Sequence, residues 1–148
     1  MDAKYFSTVY ILDHVAKLMA GRGRGSIVNV IGQGGKVANP LHISGGSANA
    51  ALMLATAGYA RAYAPHGVRV NIILPGGVAT EGTNKPLAPG VDPAVAKAQI
   101  DGFIKMKVPL GRMGQPDEIA GAAIYFASAA SSYATGSALV IDGGLLLT

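Results

Sequence analysis

The stretch from Gly25 to Thr80 limits what this chain can fold into more than any other. Ser26 to Ile31 is a short run of β-branched and apolar residues beside Gly25 and Gly32, the pattern of a strand buried on both faces. A loop, Gly32 to Ser44, follows. The alanine-rich segment Ser47 to Ala64 has no proline until Pro65 and reads as a helix closed by Pro65 and Gly67. Val68 to Leu74 is a second apolar run, ended by Pro75-Gly76-Gly77. Strand, helix and strand in this length form a βαβ unit with parallel strands and a right-handed crossover.

The rest of the chain extends that unit. Asp2 to Ala20 reads as a helix with one broad apolar face, carried by Phe6, Val9, Tyr10, Ile11, Leu12, Val15, Leu18 and Met19, and Gly21 is a fitting stop. Arg22 to Gly25 is a solvated turn. Past the irregular segment Glu81 to Gly90, Asp92-Pro93 supplies an N-cap and a first-turn proline for a helix to about Lys105. Pro116-Asp-Glu opens another, to about Ser128, with Ile119, Ala122, Ala123 and Phe126 as its buried stripe. Ala138 to Asp142 is a third strand, closed by Gly143-Gly144.

The chain of 148 residues suits one domain, 1–148, and its 50% hydrophobic and 14% charged residues favour a packed core. The net charge of +4, from 12 basic and 8 acidic residues, is scattered apart from Arg22 and Arg24, which argues against nucleic acid as a partner. With no cysteine, disulfides and thiolate metal sites are excluded, and a cytoplasmic location is the expectation. No apolar run approaches membrane-spanning length. His14, His42 and His66 lack nearby carboxylates in ligand spacing, so no metal site is expected.

Three apolar strands separated by helices imply an α/β fold: a partial, doubly wound, Rossmann-like parallel sheet of about three strands with flanking helices. Such sheets bind ligands beyond the carboxyl ends of their strands. Those ends are Ile31 to Gly35, Leu74 to Thr80 and Asp142 to Gly144.

Four segments in order carry a family resemblance: Gly25 to Val30, Val68 to Thr80 with its Leu-Pro-Gly-Gly-Val-Ala-Thr, Gly111-Arg-Met-Gly-Gln-Pro-Asp-Glu-Ile-Ala120, and Ser132 to Gly144. Together they resemble the C-terminal part of the short-chain dehydrogenases/reductases, which transfer hydride between a nicotinamide dinucleotide and an alcohol or carbonyl. The opening helix, with no strand before it, fits that placement. The family's glycine-rich pyrophosphate turn has no counterpart ahead of it. The run Gly32-Gln-Gly-Gly35 lacks the required third glycine and a following helix, so it is not expected to bind phosphate.

The resemblance places the family's serine at Gly32, its tyrosine at Gly45 and its lysine at Asn49, with the helix asparagine of the tetrad falling near Met1. No catalytic residue is therefore retained, although general acid/base chemistry needs such groups. His42, Ser44 and Ser47 lie close to the gap. A loop histidine beside a cleft is more often a surface or substrate-contact residue than a base. Tyr59, Tyr63, Tyr125 and Tyr133 are expected to pack against helices or loops.

What the resemblance keeps is the nicotinamide side of the pocket. It implies NAD or NADP as cofactor, with Pro75, Gly76, Val78 and Thr80 against the nicotinamide and Asn49 toward the ribose hydroxyls. Pro75, Gly76 and Thr80 are expected to line the deepest cleft. Two functions stay open: an oxidoreductase-family polypeptide acting on a small alcohol or ketone but inactive as this chain, and a non-catalytic assembly module. A homo-oligomer is expected, through the open edge of the first strand or through the helices Asp2 to Ala20 and Ser47 to Ala64.

Overall fold

The structure is a computed structural model and describes residues 1–83 and 91–147. Three strands, β1 (Gly25–Val30), β2 (Val68–Pro75) and β3 (Ala138–Ile141), form one parallel sheet in the order β1-β2-β3. β2 is the middle strand and the centre of the core, with Val68, Val70, Ile72, Ile73 and Leu74 all buried. Each such side chain contributes about 1.5–3 kcal/mol of burial.

Alternation along the strands separates the two faces. Ile27 and Ile31 of the first strand region, with Val68, Val70, Ile72 and Leu74, pack under helices α1 (Ser7–Gly21) and α2 (Ile43–Tyr63) through Leu12, Leu52 and Ala60. On the other face Val28 and Ile73 meet Ala122 and Phe126 of α4 (Pro116–Ala127), with Ile119 and Ala123 beside them, as the stripe in the sequence predicts. The helix α3 (Pro93–Lys107) buries Ile104 and is capped by Asp92, whose Oδ1 accepts from Ala94 N at 2.7 Å.

The polar residues of β1 and β2 tie the layers together. Asn29 Nδ2 donates to Thr56 Oγ1 on α2 at 2.9 Å. Asn71 donates to the carbonyl of Ala134 at 2.8 Å and accepts from Ser137 N at 3.1 Å, fixing the segment that leads into β3. Arg69 donates to Ser131 Oγ and to the carbonyls of Phe126, Ser128 and Ala134, satisfying orphan acceptors at the end of α4.

Several expectations are corrected. α2 begins at Ile43, four residues before the expected Ser47, although its first turns carry Gly45 and Gly46. Tertiary packing overrides their poor propensity: Gly46 lies against the carbonyl of Gly34, and a β-carbon on Gly35 would meet Ala50 N at 2.6 Å. A short 3-10 turn, Gln33–Gly35, interrupts the expected loop. The first helix is a wide π turn over Asp2–Phe6 before α1, and Phe6, Tyr10, Ile11 and Leu18 of its apolar face are exposed. Tyr59 and Tyr63 pack as expected, with ring centroids 5.9 Å apart, but Tyr133 is fully exposed. The expected irregular segment Glu81 to Gly90 lies outside the described residues from 84 onward.

β1 has a strand on one side only among the described residues. Gly25 N and Ile31 N donate toward β2, so by alternation the amides of Ser26, Val28 and Val30 face the open edge. The accessible surface, 9137 Å², exceeds the roughly 7,000 Å² of a compact monomer of this mass. Among the described residues no helix is long and apolar enough to cross a membrane.

Candidate functional site

The carboxyl ends of the three strands converge on one surface, held by glycines. Beyond β2, Gly76 N donates to the carbonyl of Ile141 at 2.9 Å. A β-carbon on Gly76 would stand 2.7 Å from Asp142 Cβ, so only glycine lets the chain leaving β2 cross the end of β3 this closely. The Asp142 carboxylate then closes the turn after β3, accepting from Gly144 N at 2.8 Å and Leu146 N at 2.9 Å, with Gly143 and Gly144 both at positive φ.

The Pro75 to Thr80 segment is fastened at its far end too. Gly114 N donates to Gly77 O and Ala79 N to Gly114 O, both at 2.9 Å, so Val78 and Gly114 pair as an isolated parallel bridge. Gly114 is fixed by the start of α4. Arg112 makes a two-pronged contact with Glu118, 2.8 Å to each carboxylate oxygen, and Glu118 Oε2 also accepts from Gln115 N at 2.7 Å. The Arg112 guanidinium, then the Gln115 amide, hold the Glu118 carboxyl down to about 2. Thr80 is exposed, and its amide donates to Thr83 Oγ1 at 2.8 Å.

The β1 side of the site is built around Asn49 on α2. Asn49 is 2% exposed, and its Oδ1 has no hydrogen-bond partner. Gln33 Oε1 is likewise buried and unpartnered. A β-carbon on Gly32 would lie 3.2 Å from Asn49 Nδ2, and a side chain on Gly45 would overlap the His42 ring. The positions 32, 45 and 49 are thus neighbours, and the groups that fill the space between them are an imidazole and a carboxamide.

The structure therefore gathers Pro75, Gly76, Val78 and Thr80 into one tethered segment after β2, and sets Asn49 under the segment after β1. Their common cleft is not among the cavities bounded by described residues. The largest of those, about 1180 Å³, lies at the other end of the strands, beside Arg24, Gly67, Arg69 and Ser128. A cavity of about 280 Å³ opens at the carboxyl end between Gln33, Val37, Phe103, Leu145 and Leu146. Sequence reasoning missed Gln33 and this wall, because a glutamine in a glycine run and a terminal leucine pair carry no motif. Among the described residues no group of His, Asp and Glu clusters as a metal site would.

Comparisons with known proteins agree with this fold. The family model described as Enoyl-(Acyl carrier protein) reductase matches residues 1–146. Gluconate 5-dehydrogenase of Gluconobacter oxydans (strain 621H) is 31% identical over 148 residues, covering 100% of this chain and 55% of that protein. A short-chain type dehydrogenase/reductase from Mycobacterium ulcerans superposes with a TM-score of 0.86 at 28% identity, over 97% of this chain and 50% of that one. A gluconate 5-dehydrogenase from Burkholderia cenocepacia J2315, solved in complex with NADP and tartrate, gives 0.76 at 32% identity, over 90% and 49%. The chain spans about half the length of the relatives it matches. With a family model matched over residues 1–146 and relatives aligned across nearly all of its length, the chain belongs to the short-chain dehydrogenase/reductase family.

Proposed function

We propose that the chain carries the nicotinamide-facing and substrate-facing half of a nicotinamide-dependent oxidoreductase site, and that as a 148-residue chain it does not itself catalyse hydride transfer. The observation that carries this reading is the cluster of Gly32, Gly45 and Asn49. Glycine offers no hydroxyl to hold or protonate a substrate oxygen, and Asn49 offers no cation to tune one.

The residues present fit the nicotinamide end of NAD or NADP. Asn49 Oδ1, buried without a donor, suits a ribose hydroxyl, and leaving such an acceptor unmet costs about 1–3 kcal/mol. Pro75, Gly76, Val78 and Thr80 would lie along the ring and its carboxamide. When bound, the nicotinamide supplies hydride exchange with a carbon of a small alcohol or ketone. The chain's own residues bind and orient; the family's pyrophosphate turn, which the sequence does not supply, would be the main anchor, so weak binding is expected.

Nitrogen-15 NMR of the chain titrated with NADH tests this directly. The expected result is weak, saturable shifts at the Gly76, Val78 and Thr80 amides and the Asn49 side chain. No shift at these positions, or shifts only around Arg24 and Arg69, would overturn the reading.

One observation favours an assembly role alongside it. The β1 edge that is open among the described residues suits a strand covered by another protein surface.

A further inference from the structure

The space beside Gly45 is taken by a side chain from the residue just before α2. His42 immediately precedes α2, and its ring lies against the Gly45 Cα so closely that any β-carbon there would overlap Cε1 and Nε2. The same ring's Cδ2 would stand 3.4 Å from a β-carbon on Gly34, whose other near neighbour is Asn49 Nδ2 at 3.7 Å. Gly32, Gly34 and Gly45 together leave a hollow that one imidazole and one carboxamide occupy.

The imidazole is uncommitted. Among the described residues no hydrogen bond holds either of its nitrogens. His42 also lines a cavity of about 520 Å³ whose wall includes Lys36 and no acidic residue. An imidazole donates with one nitrogen and accepts with the other, which suits a hydroxyl, and an ammonium on the same wall suits a carboxylate.

We propose that His42 is the ligand-contacting residue at the place left by the missing tyrosine, and that with Lys36 it binds a small hydroxy acid: His42 takes a hydroxyl and Lys36 the carboxylate. This rests on the half-site reading above, since it assumes that substrate enters from the carboxyl end of the sheet.

The test is a titration of the full chain with sodium gluconate, followed by NMR of the imidazole and amide resonances, with sodium chloride and sorbitol as controls. Gluconate is expected to shift the His42 ring saturably while leaving His14 and His66 unmoved, and sorbitol to act more weakly for want of a carboxylate. His42→Phe, which keeps a flat ring without its nitrogens, should weaken binding about tenfold, and His42→Gln should recover part of that loss. Equal affinity in His42→Phe, or a response matched by sodium chloride, would overturn the proposal. Shifts at Gly76 and Thr80 with His42 unmoved, or no response to gluconate anywhere, would also overturn it; the half-site reading stands or falls separately on the NADH titration.

Discussion

The carboxamide of Asn49 lies directly under Gly32, with its Nδ2 3.2 Å from where a β-carbon of residue 32 would stand. The family resemblance implies a lysine and a serine at those two positions. The pair that remains cannot move a proton, yet Asn49 is kept almost fully buried with an unmet acceptor. A polar group buried at such a cost makes Asn49 a candidate ligand contact.

That relationship makes a stability prediction. Asn49→Leu removes the unmet acceptor while keeping similar volume, so the ligand-free chain should lose less than about 1 kcal/mol or gain stability. Chemical denaturation checks this. A loss of several kcal/mol would mean that Asn49 is structural.

Glycine positions separate by what surrounds them. Gly58 lies inside α2 with open space beside it, so Gly58→Ala should stabilise by about 0.5–1 kcal/mol. Gly35 abuts the backbone of Asn49 and Ala50, and Gly35→Ala should destabilise by about 1–3 kcal/mol. Melting temperatures of the two variants should move in opposite directions.

The Arg112 to Glu118 clasp gives a pH dependence. The Glu118 carboxyl is lowered from 4.5 to about 2 in the folded chain, so folding favours its ionised form. Its contribution is complete above about pH 4.5 and fades as the pH falls toward 2. The stability difference between the chain and Glu118→Gln should therefore shrink across that window. Both groups are exposed, so the effect is small. A difference that stays constant from neutral pH to pH 2 would contradict the assignment.

Much of this architecture is legible in the sequence because local and global signals agree. The runs at Ser26 to Ile31 and Val68 to Leu74 are apolar, punctuated by glycine and too short for helices, and both are strands. Asp92-Pro93 and Pro116-Asp-Glu start helices where capping chemistry puts them. The start of α2 is not legible, since Gly45 and Gly46 argue for a loop and only the close approach of Gly34 and Gly35 makes them helical. The His42 ring in the Gly45 hollow is equally invisible, because a contact three residues apart at a helix start leaves no periodic trace. The exposed face of α1 is misleading for a different reason: its residues are apolar at helical spacing, yet only Leu12 and Ala16 are fully buried, Val9 and Met19 are partly covered, and Tyr10, Ile11 and Leu18 stay exposed.

Self-association is the outcome expected of that uncovered face. Tyr10 and Ile11 on α1 and Leu54 on α2 are 70%, 66% and 77% exposed, and the β1 edge is open. Sedimentation at micromolar concentration should show dimers or larger species, shifted toward monomer by Tyr10→Glu with Leu54→Lys if the helices pair, or by Val30→Lys if the edge does. A clean monomer for the unmodified chain would contradict this.

The central claim is that this chain has the fold and half-site of a nicotinamide-dependent oxidoreductase without its proton-transfer groups. Loss of general acid/base assistance alone costs roughly 10²- to 10⁴-fold, before weaker positioning of the reactants is counted. The most direct measurement is nicotinamide absorbance for the unmodified 148-residue chain against a panel of small ketones, alcohols and hydroxy acids, with His42→Ala beside it. The account predicts no turnover above buffer by either protein, and none after Gly32→Ser, Gly45→Tyr and Asn49→Lys are combined. Turnover by the unmodified chain that disappears in His42→Ala would contradict it and make His42 the acid/base.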